Sequence, residues 1–143
     1  MAVTQTKIHN LLGLDVGDRR VGVAATNTLA RLPHPHSTLI RDEAFWDKLS
    51  RLLATESIDE VVIGLPRDME GRETAQTAAV RDFVASFQER FMQPVHLQDE
   101  AVTSRQAEQE LQARGKPFAK GDIDALAATF ILDDYLKGTA DTQ

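Results

Sequence analysis

Acidic side chains stand at the margins of several apolar segments in this chain. Asp15 closes the run Leu11-Leu12-Gly13-Leu14, the pair Asp99-Glu100 follows Val95-His96-Leu97, and Asp124 precedes Ala125-Leu126-Ala127-Ala128. A charge beside a core-forming segment is costly to desolvate unless it is paired or binds a cation. Three such positions, spread along the chain at the edges of core elements, point to a divalent-metal site. Oxygen donors suit Mg²⁺ or Mn²⁺ rather than zinc, and the absence of cysteine agrees. Two such ions about 4 Å apart would activate a water and stabilise the leaving oxygen of a phosphodiester, with no covalent nucleophile. Each residue alone has a plainer reading. Asp15 could form a turn before Gly17, Asp99-Glu100 could be a polar loop, and Asp122 and Asp124 could favour a helix N-terminus.

The elements that must position these groups follow from pattern. Ile8 to Asp15 reads as a buried strand and Arg20 to Thr26 as a second, joined by the turn Asp15-Val16-Gly17-Asp18. A third strand is expected near Ser37 to Ile40, after a loop stiffened by Pro33 and Pro35. Asp42 to Ser57 is helical, with Asp42 as N-cap and Phe45, Leu49, Leu52 and Leu53 on one face. Glu60 to Gly64 is a short buried strand, of the kind found in parallel pairing. A helix over 73–91 stacks Ala79, Phe83, Phe87 and Phe91 four apart, and Pro94 to Leu97 is the fifth strand. Thr103-Ser104-Arg105-Gln106 has capping-box spacing, so a helix starts there and ends at Gly115. Gly121-Asp122 opens a last helix through Tyr135.

The order is βββαβαβαα, which predicts an α/β fold with a mixed five-stranded sheet and helices on both faces. The first strand would then be central, with its C-terminal end near the end of the fifth. Asp15 and one of Asp99 and Glu100 could meet there, because strand alternation sends those two to opposite faces. Asp124, in the first turn of the last helix, could lean over the same place.

Composition bounds the rest. The 143 residues are 42% hydrophobic and 27% charged, as expected for a single soluble domain with flexible tails at about 1–6 and 138–143. No secretory signal is visible and no apolar run approaches the ~18 residues of a membrane span, so a cytoplasmic protein is expected. Net charge is −6, which argues against a general polyanion-coating protein but leaves room for local phosphate contacts. Arg19, Arg20, Arg67, Arg72, Arg105 and the Arg114-Lys116-Lys120 group are the candidates.

Four segments together resemble the YqgF/RuvX family of RNase H-like nucleases, described as Holliday-junction resolvases and pre-16S rRNA nucleases. They are the stretch from Leu14 to Ala24, the stretch Val62-Ile63-Gly64-Leu65-Pro66-Arg67-Asp68-Met69-Glu70-Gly71, Leu97-Gln98-Asp99-Glu100, and Lys120 to Ala128. The resemblance runs from about Leu12 to Leu136. It implies an RNase H-like fold and maps the family's metal-binding and catalytic carboxylates onto Asp15, Glu100 and Asp124. Lys120 and Arg19 or Arg20 become candidates for phosphate contact, with Gly64 and Gly71 bracketing a loop near the substrate. Met69, in that loop, is expected to fill the core. Ala101 stands where the family usually has an arginine, for which Arg105 could substitute, and Gln106 replaces an acidic residue.

The resemblance therefore implies a metal-dependent endonuclease acting on a nucleic acid. The expected reaction is maturation of the 5′ end of pre-16S rRNA, with branched DNA as the other substrate. An actin-like nucleotide-binding module would also place Asp-x-Gly after a strand, but a second lobe and a second such motif are missing. A non-catalytic binding module would need a degenerate acidic site, whereas these three carboxylates are intact. Monomer and homodimer both remain open. His34 and His36 read as a solvated turn and His96 as a packed or hydrogen-bonded imidazole.

Overall fold

The computed structural model describes residues 7–100 and 103–141, with side chains for 7–100 and 108–139. Five strands form one sheet: β1 (Asn10–Val16), β2 (Arg20–Asn27), β3 (His34–Ile40), β4 (Glu60–Pro66) and β5 (Val95–Glu100). Their spatial order is β3-β2-β1-β4-β5, so the first strand is central as its apolar run requires. β1 pairs antiparallel with β2 and parallel with β4, and β4 pairs parallel with β5. The fold is RNase H-like α/β.

Helices α1 (Phe45–Thr55) and α2 (Ala75–Arg90) cover one face of the sheet. Helix α4 (Lys120–Asp141) lies on the other, with α3 (Thr103–Ala113) against its outer side. Alternation along each strand divides the sheet between these layers. Leu12, Leu14, Val21, Val23, Val61 and Ile63 face α1 and α2, where Phe45, Trp46 and Phe83 pack ring against ring. Leu11, Ala24 and Val62 face α4, meeting Ala128, Ile131, Leu132 and Leu136.

Several boundaries differ from the sequence pattern for local reasons. β3 begins at His34 and carries Pro35, which an edge strand tolerates because one side of its backbone needs no ladder partner. His34 and His36 therefore lie in a strand, and His36 Nε2 stands 3.1 Å from Glu56 Oε1. α1 starts at Phe45, and Asp42 closes the preceding turn by accepting from the Ala44 amide. In α2 the buried stripe is Val80, Phe83, Val84 and Phe87, while Ala79 is exposed. Its N-terminus is closed by Thr74 and Thr77 in a reciprocal cap. β5 runs on to Glu100, so the carboxylate pair belongs to the strand. α4 begins at Lys120 and continues past Tyr135 to Asp141.

At the N-terminal ends of the strands, on the α4 face, Glu60 is held between two imidazoles. His9 Nδ1 is 2.8 Å from one carboxylate oxygen and His96 Nε2 is 2.9 Å from the other. Burial opposes the Glu60 charge, but hydrogen bonds from His96 and His9, and their charges, outweigh it and hold the group below its usual range. His96 also packs on the Tyr135 ring, 5.2 Å between centroids. Among the described residues, no helix is long and apolar enough to cross a membrane.

Candidate active site

The opposite end of that face carries the acidic residues. Asp15 is the penultimate residue of β1 and shares the parity of Leu11, so its side chain projects towards α4. Its antiparallel partner is Gly22, whose own neighbour on β3 is Thr38. One step beyond the last parallel pair, Leu14 with Ile63, Gly64 falls on the other side of Asp15. Close approach requires glycine at position 22 and leaves little room for a side chain at position 64. A Cβ on Gly22 would run into the backbone carbonyl of Asp124, and one on Gly64 into the Ile131 side chain. α4 thus enters directly over bare backbone, which brings Asp124 down beside Asp15. Its first turn is anchored by the Thr38 hydroxyl, which donates to the Gly121 carbonyl at 2.6 Å.

The strand register separates Asp99 from Glu100. Glu100 pairs with Pro66 and its Cγ lies 3.7 Å from the Cβ position of Gly64, on the α4 face with Asp15. Asp99 pairs with Leu65 on the opposite face and holds Arg67, Nε to Oδ1, at 3.0 Å.

Asp15 is recessed in protein and only part of its surface reaches solvent. Burial, with the Asp124 charge added to it, pushes its carboxyl up to about 6 from an ordinary 3.8. Among the described residues, neither a hydrogen bond nor a cation offsets those two influences. Asp124 has a partner: Arg20 Nε donates to its Oδ2 at 2.6 Å, with the Asp124 side chain 16% and the Arg20 side chain 34% exposed. The structure therefore brings Asp15 and Asp124 together and sets Glu100 on the same face. Among the described residues, no three acidic or histidine side chains close into a metal-holding group. The donor set still fits a hard divalent ion, because a recessed carboxylate repelled by a second carboxylate is relieved by such a charge.

The basic candidates separate. Arg20 is paired with Asp124. Arg19 is exposed in the turn between β1 and β2, which the Gly17 amide closes by donating to the Arg20 carbonyl. Lys120 is exposed at the start of α4 and lines a cleft with Arg20, Glu108 and Asp124. Arg67 is tied to Asp99 and to the Gly71 carbonyl, in a cleft that Glu100 also lines. The Arg105 and Gln106 side chains, and Ala101 altogether, lie outside the described residues.

The loop after β4 is ordered by Asp68, which accepts from the Glu70 and Arg72 amides and the Arg72 guanidinium. Met69 sits at its tip and is 88% exposed, so it does not fill the core. Its loop is fixed by polar bonds. Two contributors carried no recognisable sequence signal, the Thr38 anchor and the Arg20–Asp124 pair, each linking residues far apart in the chain.

Comparisons with known proteins agree with this architecture. A protein from Chloroflexus aggregans named "Putative pre-16S rRNA nuclease" is 42% identical over 132 residues, covering 90% of this chain and 93% of its own. One of the same name from Lactococcus lactis subsp. cremoris (strain MG1363) is 37% identical over 136 residues, covering 91% and 95%. The Fowlpox virus resolvase, solved with a Holliday junction DNA substrate, superposes with a TM-score of 0.50 at 13% identity, over 91% of this chain and 98% of that one. That likeness is one of fold. The family model for RuvX, Holliday junction resolvase, matches residues 9–138. By that match and by relatives similar over almost their full length, this chain belongs to the RuvX family.

Proposed function

We propose that this protein is a divalent-metal-dependent endonuclease that hydrolyses phosphodiester bonds during maturation of the 5′ end of pre-16S rRNA in the cytoplasm. The observation that carries the reading is the Asp15–Asp124 pair, in which a recessed carboxylate is raised by burial and by its acidic neighbour and has no cation of its own among the described residues. Relatives over nearly the whole chain bear the pre-16S rRNA nuclease name.

Asp15, Asp124 and Glu100 are the residues that would hold Mg²⁺ or Mn²⁺. When bound, such ions supply an activated water and stabilise the leaving oxygen. The chain supplies orientation. Asp15 is fixed by the central strand, Glu100 by the last parallel strand, and Asp124 by a helix start bound to β3. Arg19, Lys120 and Arg67 provide positive charge around the rim for backbone phosphates, which makes binding depend steeply on salt.

Branched DNA is the second reading, favoured by the Holliday junction resolvase description of the family model. A junction-cutting enzyme acts on two opposed strands and calls for a symmetric pair of subunits, whereas an rRNA processor does not. A cleavage panel in Mn²⁺ tests the choice, comparing precursor rRNA, single-stranded RNA, single-stranded DNA and four-way junctions. Precursor rRNA is the expected substrate, Asp15→Asn protein is the control, and cleavage that persists in excess EDTA would overturn the metal reading.

A further inference from the structure

The Arg20–Asp124 pair places a cation where a metal-holding carboxylate would otherwise be free. Arg20 leaves β2 on the α4 face, two residues before Gly22, and reaches across to Asp124 with an Nε–Oδ2 distance of 2.6 Å. The guanidinium compensates only one member of the acidic pair. The influences on Asp15 are burial and Asp124, and Arg20 is not among them. A divalent ion between the carboxylates would relieve both.

Arg20 also has somewhere to go. It borders two solvent-open clefts, one with Gly17, Asp18 and Arg19, the other with Phe118, Lys120 and Ile123. A third of its side chain is already exposed. Its planar fork suits phosphate oxygens as well as carboxylate oxygens.

We propose that Arg20 is the resident counter-cation of this site, competing with the divalent ion for Asp124 and turning towards the rim when the ion binds. The inference rests on the metal-site reading above and assigns Arg20 a positioning role within it. Competition of this kind makes Arg20 an antagonist of metal binding in the free protein. If the residue instead held Asp124 ready for the ion, it would be an aid. The two roles have opposite signs.

Binding of Mn²⁺ alone, read from the electron paramagnetic resonance signal of the free ion, distinguishes them without any substrate. Arg20→Met should tighten Mn²⁺ binding about tenfold, the scale on which groups around a metal site act. Arg20→Lys keeps the charge and should stay close to the parent protein. The gain should vanish when Arg20→Met is combined with Asp124→Asn, because there is then no carboxylate to release. Unchanged or weaker Mn²⁺ binding by Arg20→Met overturns the proposal and leaves the metal-site reading standing, provided Asp15→Asn abolishes binding. No saturable Mn²⁺ binding by any of these proteins removes both. Circular dichroism checks that each variant is folded, and Arg20→Gln replaces Arg20→Met if that variant is not.

Discussion

Two carboxylates on the same sheet face, both contacted by the α4 layer, are treated in opposite ways. At the N-terminal ends of the strands Glu60 lies between His9 and His96, and these partners hold it below its usual value against the effect of burial. At the C-terminal end Asp15 has no such partner among the described residues, and burial, with repulsion from Asp124 added, raises its carboxyl to about 6. The same layer of the same fold thus satisfies one acid and leaves another in deficit. Among the described residues, no imidazole or guanidinium is paired with Asp15. The contrast is between a carboxylate built into the architecture and the one to which the proposed function assigns a metal ion.

The largest expected effect comes from the unsatisfied end. Asp15→Asn and Glu100→Gln should each lower cleavage by at least about 100-fold, since each removes a proposed ligand worth several kcal/mol in the transition state. Asp15→Asn should also raise metal-free stability, by an amount on the order of 1–3 kcal/mol at neutral pH, visible in urea unfolding. Turnover by Asp15→Asn equal to that of the parent protein would erase the distinction between the two ends. Gly22→Ala comes next. Its methyl group meets the Asp124 carbonyl, so α4 must shift, with a cost of about 1–3 kcal/mol and a loss of activity in the same protein.

Glu60→Gln should have the reverse profile, costing about 1–2 kcal/mol of stability with cleavage preserved. The pH dependence of metal-free stability sharpens this. Asp15 is raised in the folded state, so the native protein keeps a proton that the unfolded chain has released, and stability falls as pH climbs from 3.8 towards about 6. Glu60 is lowered, so its contribution is present above its ordinary 4.5 and is lost as pH falls through the folded value. Thermal melts in EDTA should lose the first slope in Asp15→Asn and the second in Glu60→Gln. The smallest effect belongs to Asp99→Asn, a residue on the other face whose exposed pairing with Arg67 contributes at most about 1 kcal/mol. Its cleavage rate should stay within about twofold of the parent.

The strand order, the central position of β1 and the alternation of β and α units were legible because apolar periodicity and turn chemistry are local signals. Asp15 and Asp124 were legible as charges at the edges of apolar runs. Pattern alone left open the choice between Asp99 and Glu100, which only the family resemblance made, since face assignment depends on where β5 ends and how it registers with Pro66. The pairing of Arg20 with Asp124 was not legible, because nothing local links two residues 104 positions apart. Met69 read as core because its side chain is apolar, whereas polar bonds centred on Asp68 decide its loop. Pairings of that kind exist only once the layers are stacked.

The floor of the acidic site, to either side of Asp15, is glycine backbone pressed against α4. A methyl group on Gly22 would meet the Asp124 backbone and dislodge the helix, whereas one on Gly64 would meet only the end of the Ile131 side chain. On the Gly22 side the shape is therefore fixed. Any shift of preference between one polynucleotide and another has to be written in the surrounding rim, meaning the β1–β2 turn, the loop after β4 and the approach to α4.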